Sequence, residues 1–378
     1  MTEPHSVIER VEAWHCRVPL ETPLTLGDLL IDRRDFVVVR MQSSGGLDGV
    51  AYALSRGAPV DLVVTELLAP LLLGRNPFDI PRRVDELSRG LVALGPVGIV
   101  QRAISLIDIC LWDIKAKAAG MPVWRLLGGY RDEAPVMLVA PYADANESDG
   151  AYAARLAELA KRGYVAIKLY PVADPRTMAS RLEALRAVLG ARIGLVVDMA
   201  WSWRTAKQAI DAVRMWEDFD LAWVEDPFPA SAWPSIRALA NAVRTPIGAG
   251  DEVSVQAVMD LLIAERAVDL VRLDATTIGG FSQFAAVRES ASRAGYSTSP
   301  HAYPEIHRHC VFAWPGVGPI EMFPVGSPTW GASRFLGLET DLANDRTTIP
   351  APIEPGLGLE VDWAAVSALS TRSTAVAR

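Results

Sequence analysis

Cysteine is scarce in this chain: Cys16, Cys110 and Cys310 are the only three in 378 residues. They are far apart, odd in number and without CxxC spacing, which argues against a disulfide framework and predicts a reducing compartment. Basic charge is also in deficit. Thirty-seven Lys and Arg against 45 Asp and Glu leave a net charge of −8, so neither nucleic acid nor an anionic membrane surface is an expected partner. Long apolar runs are missing. The stretch over residues 62–73 is broken by Thr65, Glu66 and Pro70, short of the roughly 18 residues a transmembrane helix needs. The opening MTEPHSVIER has no basic n-region or apolar h-region, so no signal peptide is expected and the cytoplasm is the expected location. No segment is of low complexity. What the chain does have is apolar surface. Half its residues are hydrophobic and 22% are charged, enough burial to offset the ordering entropy and to rule out disorder. At this length the choices are one large α/β barrel with additions or two to three smaller units.

The first quarter does not share the rhythm of the rest. Residues 7–19 and 35–41 are β-rich, and Phe36-Val-Val-Val-Arg-Met41 is a strong strand pattern; Ser43-Ser-Gly-Gly-Leu-Asp-Gly49 is a turn cluster, so an antiparallel meander is expected. Helical periodicity follows over residues 60–73 and 99–119, where Ile104, Ile107, Leu111 and Ile114 recur on one face before Gly120-Met-Pro122 ends the helix. From about residue 134 short apolar runs alternate with amphipathic helical stretches. Eight candidate strands lie at 136–139, 166–169, 194–197, 222–224, 247–249, 269–271, 296–298 and 319–320. Repeated βα units mean a parallel sheet, and eight of them suggest a (β/α)₈-type barrel. The segment Gly356-Leu-Gly-Leu-Glu-Val361 has no βα period and is expected to return to the first domain. The resulting division is 1–130, 131–340 and 341–378.

The strands end in acids. Gly194-Leu-Val-Val-Asp198, Ala222-Trp-Val-Glu225, Ile247-Gly-Ala-Gly-Asp251-Glu252 and Leu270-Val-Arg-Leu-Asp274 each run from apolar residues into a carboxylate, the seventh strand leads to His301 and the eighth to Glu321. In a barrel these ends converge on one face, where active sites are built. Acids at steps of 27 and 26 residues (198 to 225 to 251) would form an all-oxygen pocket. Such a cluster repels itself unless a hard divalent cation is bound. One acid of this kind could be a helix N-cap; a series of them is not explained that way.

The chain resembles the mandelate racemase/muconate lactonizing enzyme family of the enolase superfamily, in its mandelate racemase subgroup, over nearly the whole length. The matching stretches are Ile107-Asp-Ile-Cys-Leu-Trp-Asp-Ile-Lys-Ala-Lys117, Leu126-Leu-Gly-Gly129, Ala166-Ile-Lys168, Val197-Asp198, Trp223-Val-Glu225-Asp-Pro227, Asp251-Glu252, Asp274-Ala-Thr-Thr-Ile-Gly-Gly280 and His301. The resemblance implies an α/β fold with an N-terminal α+β capping domain over a modified TIM barrel, (β/α)₇β. It implies Mg²⁺ as cofactor, abstraction of a proton α to a carboxylate, a small-molecule carboxylate substrate and a homo-oligomer. Carried over position by position, Asp198 and Glu225 are the first two metal ligands. The third strand offers Asp251 or Glu252, and the 23-residue step from 251 to 274 selects Asp251. His301 with Asp274 resembles the dyad that acts as acid and base, the carboxylate fixing the tautomer and raising imidazole basicity. Glu321 matches the acid that hydrogen-bonds a substrate carboxylate oxygen. His307 and His309, two apart on a helix, face different ways and are not a metal pair.

The pattern departs at the second barrel strand, where the subgroup has Lys-x-Lys and this chain has Lys168-Leu-Tyr170. Lys168 can neutralise a substrate carboxylate. Tyr170 replaces the second base, with an ordinary pKa near 10 that burial raises and Lys168 and Mg²⁺ lower. Ala200 replaces an asparagine common two residues past the first ligand. A racemase needs competent acid/bases on both faces of its substrate, whereas a dehydratase can work from one. The departure therefore favours dehydration of an acid sugar, mono- or diacid, to a 2-keto-3-deoxy product, over racemisation or epimerisation of a 2-hydroxy acid. A catalytically silent barrel acting as a binding protein is the reading from another class. Residues 20–32 and 51–58 are expected lid loops, Arg56 a substrate-binding residue, and Trp201, Trp203 and Trp330 expected pocket walls.

Overall fold

The computed structural model describes residues 6–26, 29–144, 146–172, 174–324, 327, 329–337 and 348–378, with the backbone alone at 24–26 and 29. The boundary expected at 340/341 lies outside the described residues.

Three strands, β1 (Ile8–Leu26), β2 (Leu29–Ser43) and β3 (Asp48–Leu54), form an antiparallel meander. The C-terminal strand Ser370–Ala377 pairs with the outer side of β1, giving a four-stranded sheet drawn from both ends of the sequence. Phe36, Val37, Val38, Val39 and Met41 are all buried, because this strand is covered on both faces. The helix Ile99–Ala118 packs so close to β3 that a Cβ at Gly49 would lie 2.1 Å from the Cys110 carbonyl oxygen. Only glycine allows that approach.

Two expectations are corrected here. Residues 20–26 and 29–32 continue strands β1 and β2, with Leu24 opposite Ile31 and Leu26 opposite Leu29, rather than forming a loop. Residues 51–54 are the buried end of β3, paired with Phe36–Val39, and the chain leaves the sheet only at Ser55. Ala51 and Ala53 carry little strand propensity of their own; the ladder and the helix behind it decide the conformation.

The barrel has eight parallel strands: β4 (Glu133–Val139), β5 (Ala166–Leu169), β6 (Gly194–Asp198), β7 (Trp223–Glu225), β8 (Ile247–Ala249), β9 (Leu270–Leu273), β10 (Ser297–Pro300) and β11 (Ile320–Met322). They pair in the order β10-β9-β8-β7-β6-β5-β4-β11, and the bridge between Thr298 and Val317 nearly closes the ring. A helix follows each of β4 to β10, among them Asp149–Ala160, Pro175–Leu189, Ala206–Trp216 and Gly280–Arg293. Ser148, Asp174 and Thr205 cap three of them by accepting the N–H groups of Ala151, Thr177 and Gln208.

The interior is layered. Met137, Ala166, Val196 and Trp223 form a small apolar cluster of their own inside the barrel. Two residues further along β4 to β7, on the same inward face, stand Val139, Lys168, Asp198 and Glu225. Residues 356–357 lie back on the cap, where the Gly356 N–H donates to Met121 O and the Leu357 N–H to Asp113 Oδ1.

Candidate active site

Parallel register places Asp198 beside Glu225 at the C-terminal ends of β6 and β7. Asp251 follows β8 after Gly250, whose φ of +133° only glycine adopts without strain and whose Cβ would meet Arg272 O at 2.3 Å. One oxygen from each of Asp198, Glu225 and Asp251 can be chosen so that all lie within 4.8 Å of one another. The backbone around them is strained. Ala200, Trp201, Asp226, Glu252, Ala302 and Tyr303, all just past strands β6, β7, β8 and β10, have positive φ. Non-glycine residues in that region cost about 1–3 kcal/mol each and persist where the surroundings impose them.

Two buried cations hold the acids. Lys168 Nζ donates to Glu225 Oε1 at 2.8 Å and to Glu321 Oε1 at 2.9 Å, with Asp198 3.6 Å away. Burial alone would lower the Lys168 pKa, but the Glu225 and Glu321 carboxylates hold it well above its ordinary value. Arg272, on β9, is fully buried and lies 3.0 Å from Asp251, 3.1 Å from Glu225 and in contact with Glu321, while Nη1 donates to Ser299 Oγ. Sequence reasoning passed over Arg272. The signal was there: an arginine inside the apolar run Leu270-Val-Arg-Leu273 has to be buried, and a buried charge has to be paired.

Glu321 also accepts the Ala302 N–H at 2.8 Å, and its pKa sits below the carboxylate range: burial opposes this, but Arg272 and Lys168 prevail. Next to the cluster, Asp226 accepts the Gly250 N–H through Oδ1, while its buried Oδ2 has no hydrogen-bond partner among the described residues; burial and then Asp251 push its pKa well up.

His301 follows β10. Its Nδ1 lies 3.1 Å from Asp274 Oδ2, and Nε2 lies 3.7 Å from Asp251 Oδ2. The Thr276 N–H and hydroxyl both donate to the other Asp274 oxygen at 2.7 Å, which fixes the carboxylate. Burial would lower the His301 pKa, but Asp251 and Asp274 raise it to about 10. Asp274 is held below its ordinary value, because the hydrogen bond from His301 outweighs burial. His307 and His309 are structural. His307 accepts the Ala275 N–H at 2.9 Å and bonds Ala302 O, and His309 accepts the Trp124 N–H and bonds Leu357 O.

One cavity under the cap is lined by His301, Lys168, Asp198, Asp251, Glu321 and Tyr170. Tyr170 stacks on Tyr142 at 3.8 Å between ring centroids and 15° between planes. Burial, against the pull of Arg34 and Lys168, moves the Tyr170 pKa up to about 12. Arg34, Arg56, Trp201, Trp330 and Ala200 line the same cavity. The Arg56 guanidinium, however, is bound to Glu252, which also meets Arg102. Trp203 does not reach the cavity and instead packs against Trp216 and Phe228 in the core. Arg34 went unnoticed in the sequence because Asp32-Arg-Arg-Asp35 reads as a solvated charge run.

The donor set fits a hard divalent cation. Four carboxylates (Asp198, Glu225, Asp251, Glu321) face two cations (Lys168, Arg272), an excess of two negative charges in a buried site. All three clustered ligand atoms are carboxylate oxygens, the donors such ions prefer. Glu252, neutralised by two arginines, is not among them.

Comparison with known proteins bears on this site. The family described as Enolase C-terminal domain-like matches residues 151–365, and the family described as Mandelate racemase / muconate lactonizing enzyme, N-terminal domain, matches residues 8–128. The L-talarate/galactarate dehydratase of Salmonella typhimurium is 32% identical over 325 residues, 82% of this chain and 79% of that protein. The D-xylonate dehydratase of Haloferax volcanii is 28% identical over 365 residues, 88% of this chain and 85% of that protein. Among solved structures, L-talarate dehydratase from Polaromonas sp. JS666, complexed with Mg and L-glucarate, superposes with a TM-score of 0.87 at 27% identity, over 99% of this chain and all of that one.

Proposed function

Because the chain belongs to the mandelate racemase/muconate lactonizing enzyme family of the enolase superfamily, we propose that it is a Mg²⁺-dependent hydro-lyase. It removes water from an acid sugar to give a 2-keto-3-deoxy acid. The observation that carries this reading is the asymmetry of the proton-handling groups in the cavity. His301 is oriented through Nδ1 by Asp274 and leaves Nε2 toward Asp251 and the cavity. Tyr170, at about 12, keeps its proton at neutral pH and can donate but not accept. One base on one side suits β-elimination better than the two-sided exchange of a racemase. Similarity to L-talarate/galactarate and D-xylonate dehydratases supports the same choice.

In this reading Asp198, Glu225 and Asp251 hold Mg²⁺, which supplies positive charge that lowers the cost of removing a proton α to a carboxylate. Lys168 and Glu321 orient the reacting carboxylate, Lys168 by charge and Glu321 by hydrogen bonding. Asp251 is the chief charge that raises the His301 pKa; with that charge cancelled by bound Mg²⁺, His301 Nε2 is free to take the α-proton while Asp274 stabilises the imidazolium. The bond from the β-carbon to its hydroxyl then breaks, the imidazolium proton leaves with that hydroxyl as water, and the enol tautomerises to the 2-keto acid.

The test is a screen of mono- and diacid sugars with Mg²⁺ in D₂O, read by NMR and mass spectrometry. A 2-keto-3-deoxy product is expected. Interconversion of α-epimers without it would establish an epimerase instead, and absence of both product and α-proton exchange would leave a binding protein.

A further inference from the structure

Arg34, on β2 of the cap, reaches the cavity with its side chain largely buried. Its Nε donates to Thr329 O at 3.0 Å, and no carboxylate among the described residues pairs with it. In this it differs from the other arginines of the site, since Arg56 is held by Glu252 and Arg272 by three acids. Its electrostatic neighbours are Tyr170, Tyr142, Tyr303 and Arg56, none of them anionic at neutral pH. The stacked rings of Tyr142 and Tyr170 line the same cavity, and neither hydroxyl has a hydrogen-bond partner among the described residues. Arg34, Tyr142, Tyr170 and Lys168 all line this one cavity, and Tyr170 is within electrostatic reach of both Arg34 and Lys168.

We infer that Arg34, with the hydroxyls of Tyr142 and Tyr170, forms a subsite for a second carboxylate, so that the enzyme is built for sugar diacids rather than monoacids. The inference rests on the acid-sugar reading above. A buried guanidinium without a counterion is costly. A carboxylate accepts its planar fork in two parallel hydrogen bonds, and two phenol donors line the same cavity to meet remaining lone pairs. A monoacid ends in a hydroxymethyl group, which leaves the guanidinium unpaired. Sites with a polar group left unpaired by the wrong ligand discriminate strongly.

The experiment compares matched six-carbon diacid and monoacid pairs, galactarate against galactonate and glucarate against gluconate, on the Mg²⁺-loaded protein. Both kcat/KM and affinity by calorimetry are measured. The expected diacid preference is at least ~10²-fold in the better pair. In Arg34→Met it should shrink at least ~10-fold, and Arg34→Lys, which keeps the charge but not the fork, should restore part of it. A wild-type preference for the monoacid, or a ratio unchanged in Arg34→Met, overturns the subsite. If circular dichroism shows that Arg34→Met does not fold, the ratios in Arg34→Lys and Tyr142→Phe decide by the same criterion. Absence of any 2-keto-3-deoxy product refutes the dehydratase reading separately. The calorimetric ratios then judge the subsite alone, and a protein that binds no diacid overturns it.

Discussion

Arg56 of the cap and Glu252 of the barrel face each other in a bidentate ion pair, with Arg56 Nε donating to Glu252 Oε2 at 3.0 Å and Arg102 on the same carboxylate. Two guanidinium groups keep Glu252 ionised far below the usual carboxylate range even though it is buried. The pair joins the loop after β3 to the rim of the barrel mouth and takes Glu252 out of competition for the metal.

This separates two adjacent acids experimentally. Asp251→Asn should weaken Mg²⁺ binding by at least ~100-fold, and Asp198→Asn with Glu225→Gln should abolish it, by more than the loss typical of outer-shell changes. Glu252→Gln should leave Mg²⁺ affinity within a few-fold of wild type and chiefly raise KM. Calorimetric Mg²⁺ titration of the four proteins checks this, and full metal affinity in the double variant would sink the assignment.

His301→Asn should keep the fold and the metal and lose at least ~10²-fold in kcat, the scale of a single general acid/base. Asp274→Asn should cost less, since it alters imidazole orientation and basicity without removing the group. A rate within tenfold of wild type for His301→Asn means another group takes the proton.

Tyr170→Phe tests the other side of the cavity. With its pKa near 12, the phenol stays protonated below about pH 10, so the wild-type pH–rate profile should show no tyrosine limb there. The variant should retain dehydration within roughly tenfold, because the ring still stacks on Tyr142, while any deuteron that the phenol delivers to the intermediate from that face disappears. Loss of all turnover in a folded, metal-binding variant would make Tyr170 an obligatory proton carrier.

Stability should carry a pH signature from Asp108, on the helix Ile99–Ala118. Burial raises its pKa to about 7 even though the Ser282 hydroxyl and N–H both donate to it. The folded state therefore binds the proton more tightly than the unfolded chain. The stability this proton supplies is full below about pH 4 and falls as the pH rises toward 7, by on the order of 3–5 kcal/mol. Subtracting denaturation curves of Asp108→Asn from wild type across pH 4–8 should recover that slope; a flat difference rules it out.

How much of this was legible in the sequence follows from where the information lay. The strand-end acids stood out because each closes an apolar run, and their convergence needs only the barrel topology. The His301–Asp274 contact was expected from the family resemblance, and the two residues do lie 3.1 Å apart. Arg272 was hidden by its own strand, since three acids from three different strands neutralise it and none is near it in sequence. Arg34 was hidden for the opposite reason, as it sits among local acids that turn out not to be its partners. The 51–54 segment looked like a loop because its alanines have weak strand preference, and the approach of the 99–118 helix, which outweighs that preference, is written only in Gly49.

The cap sheet takes its outermost strand from Ser370–Ala377, tied down by the Arg372–Asp61 ion pair and by Arg378 N–H donating to Glu9 O. This has a consequence for the order of assembly during synthesis. The β1–β3 meander leaves the ribosome first yet keeps β1 as an open edge, able to pair with another nascent chain, until the whole barrel has been translated. Completion of the cap is therefore coupled to completion of the barrel, through contacts among the longest-range in the chain, which slows folding. The cap sheet is thus closed only after the barrel, although three of its four strands are made before it.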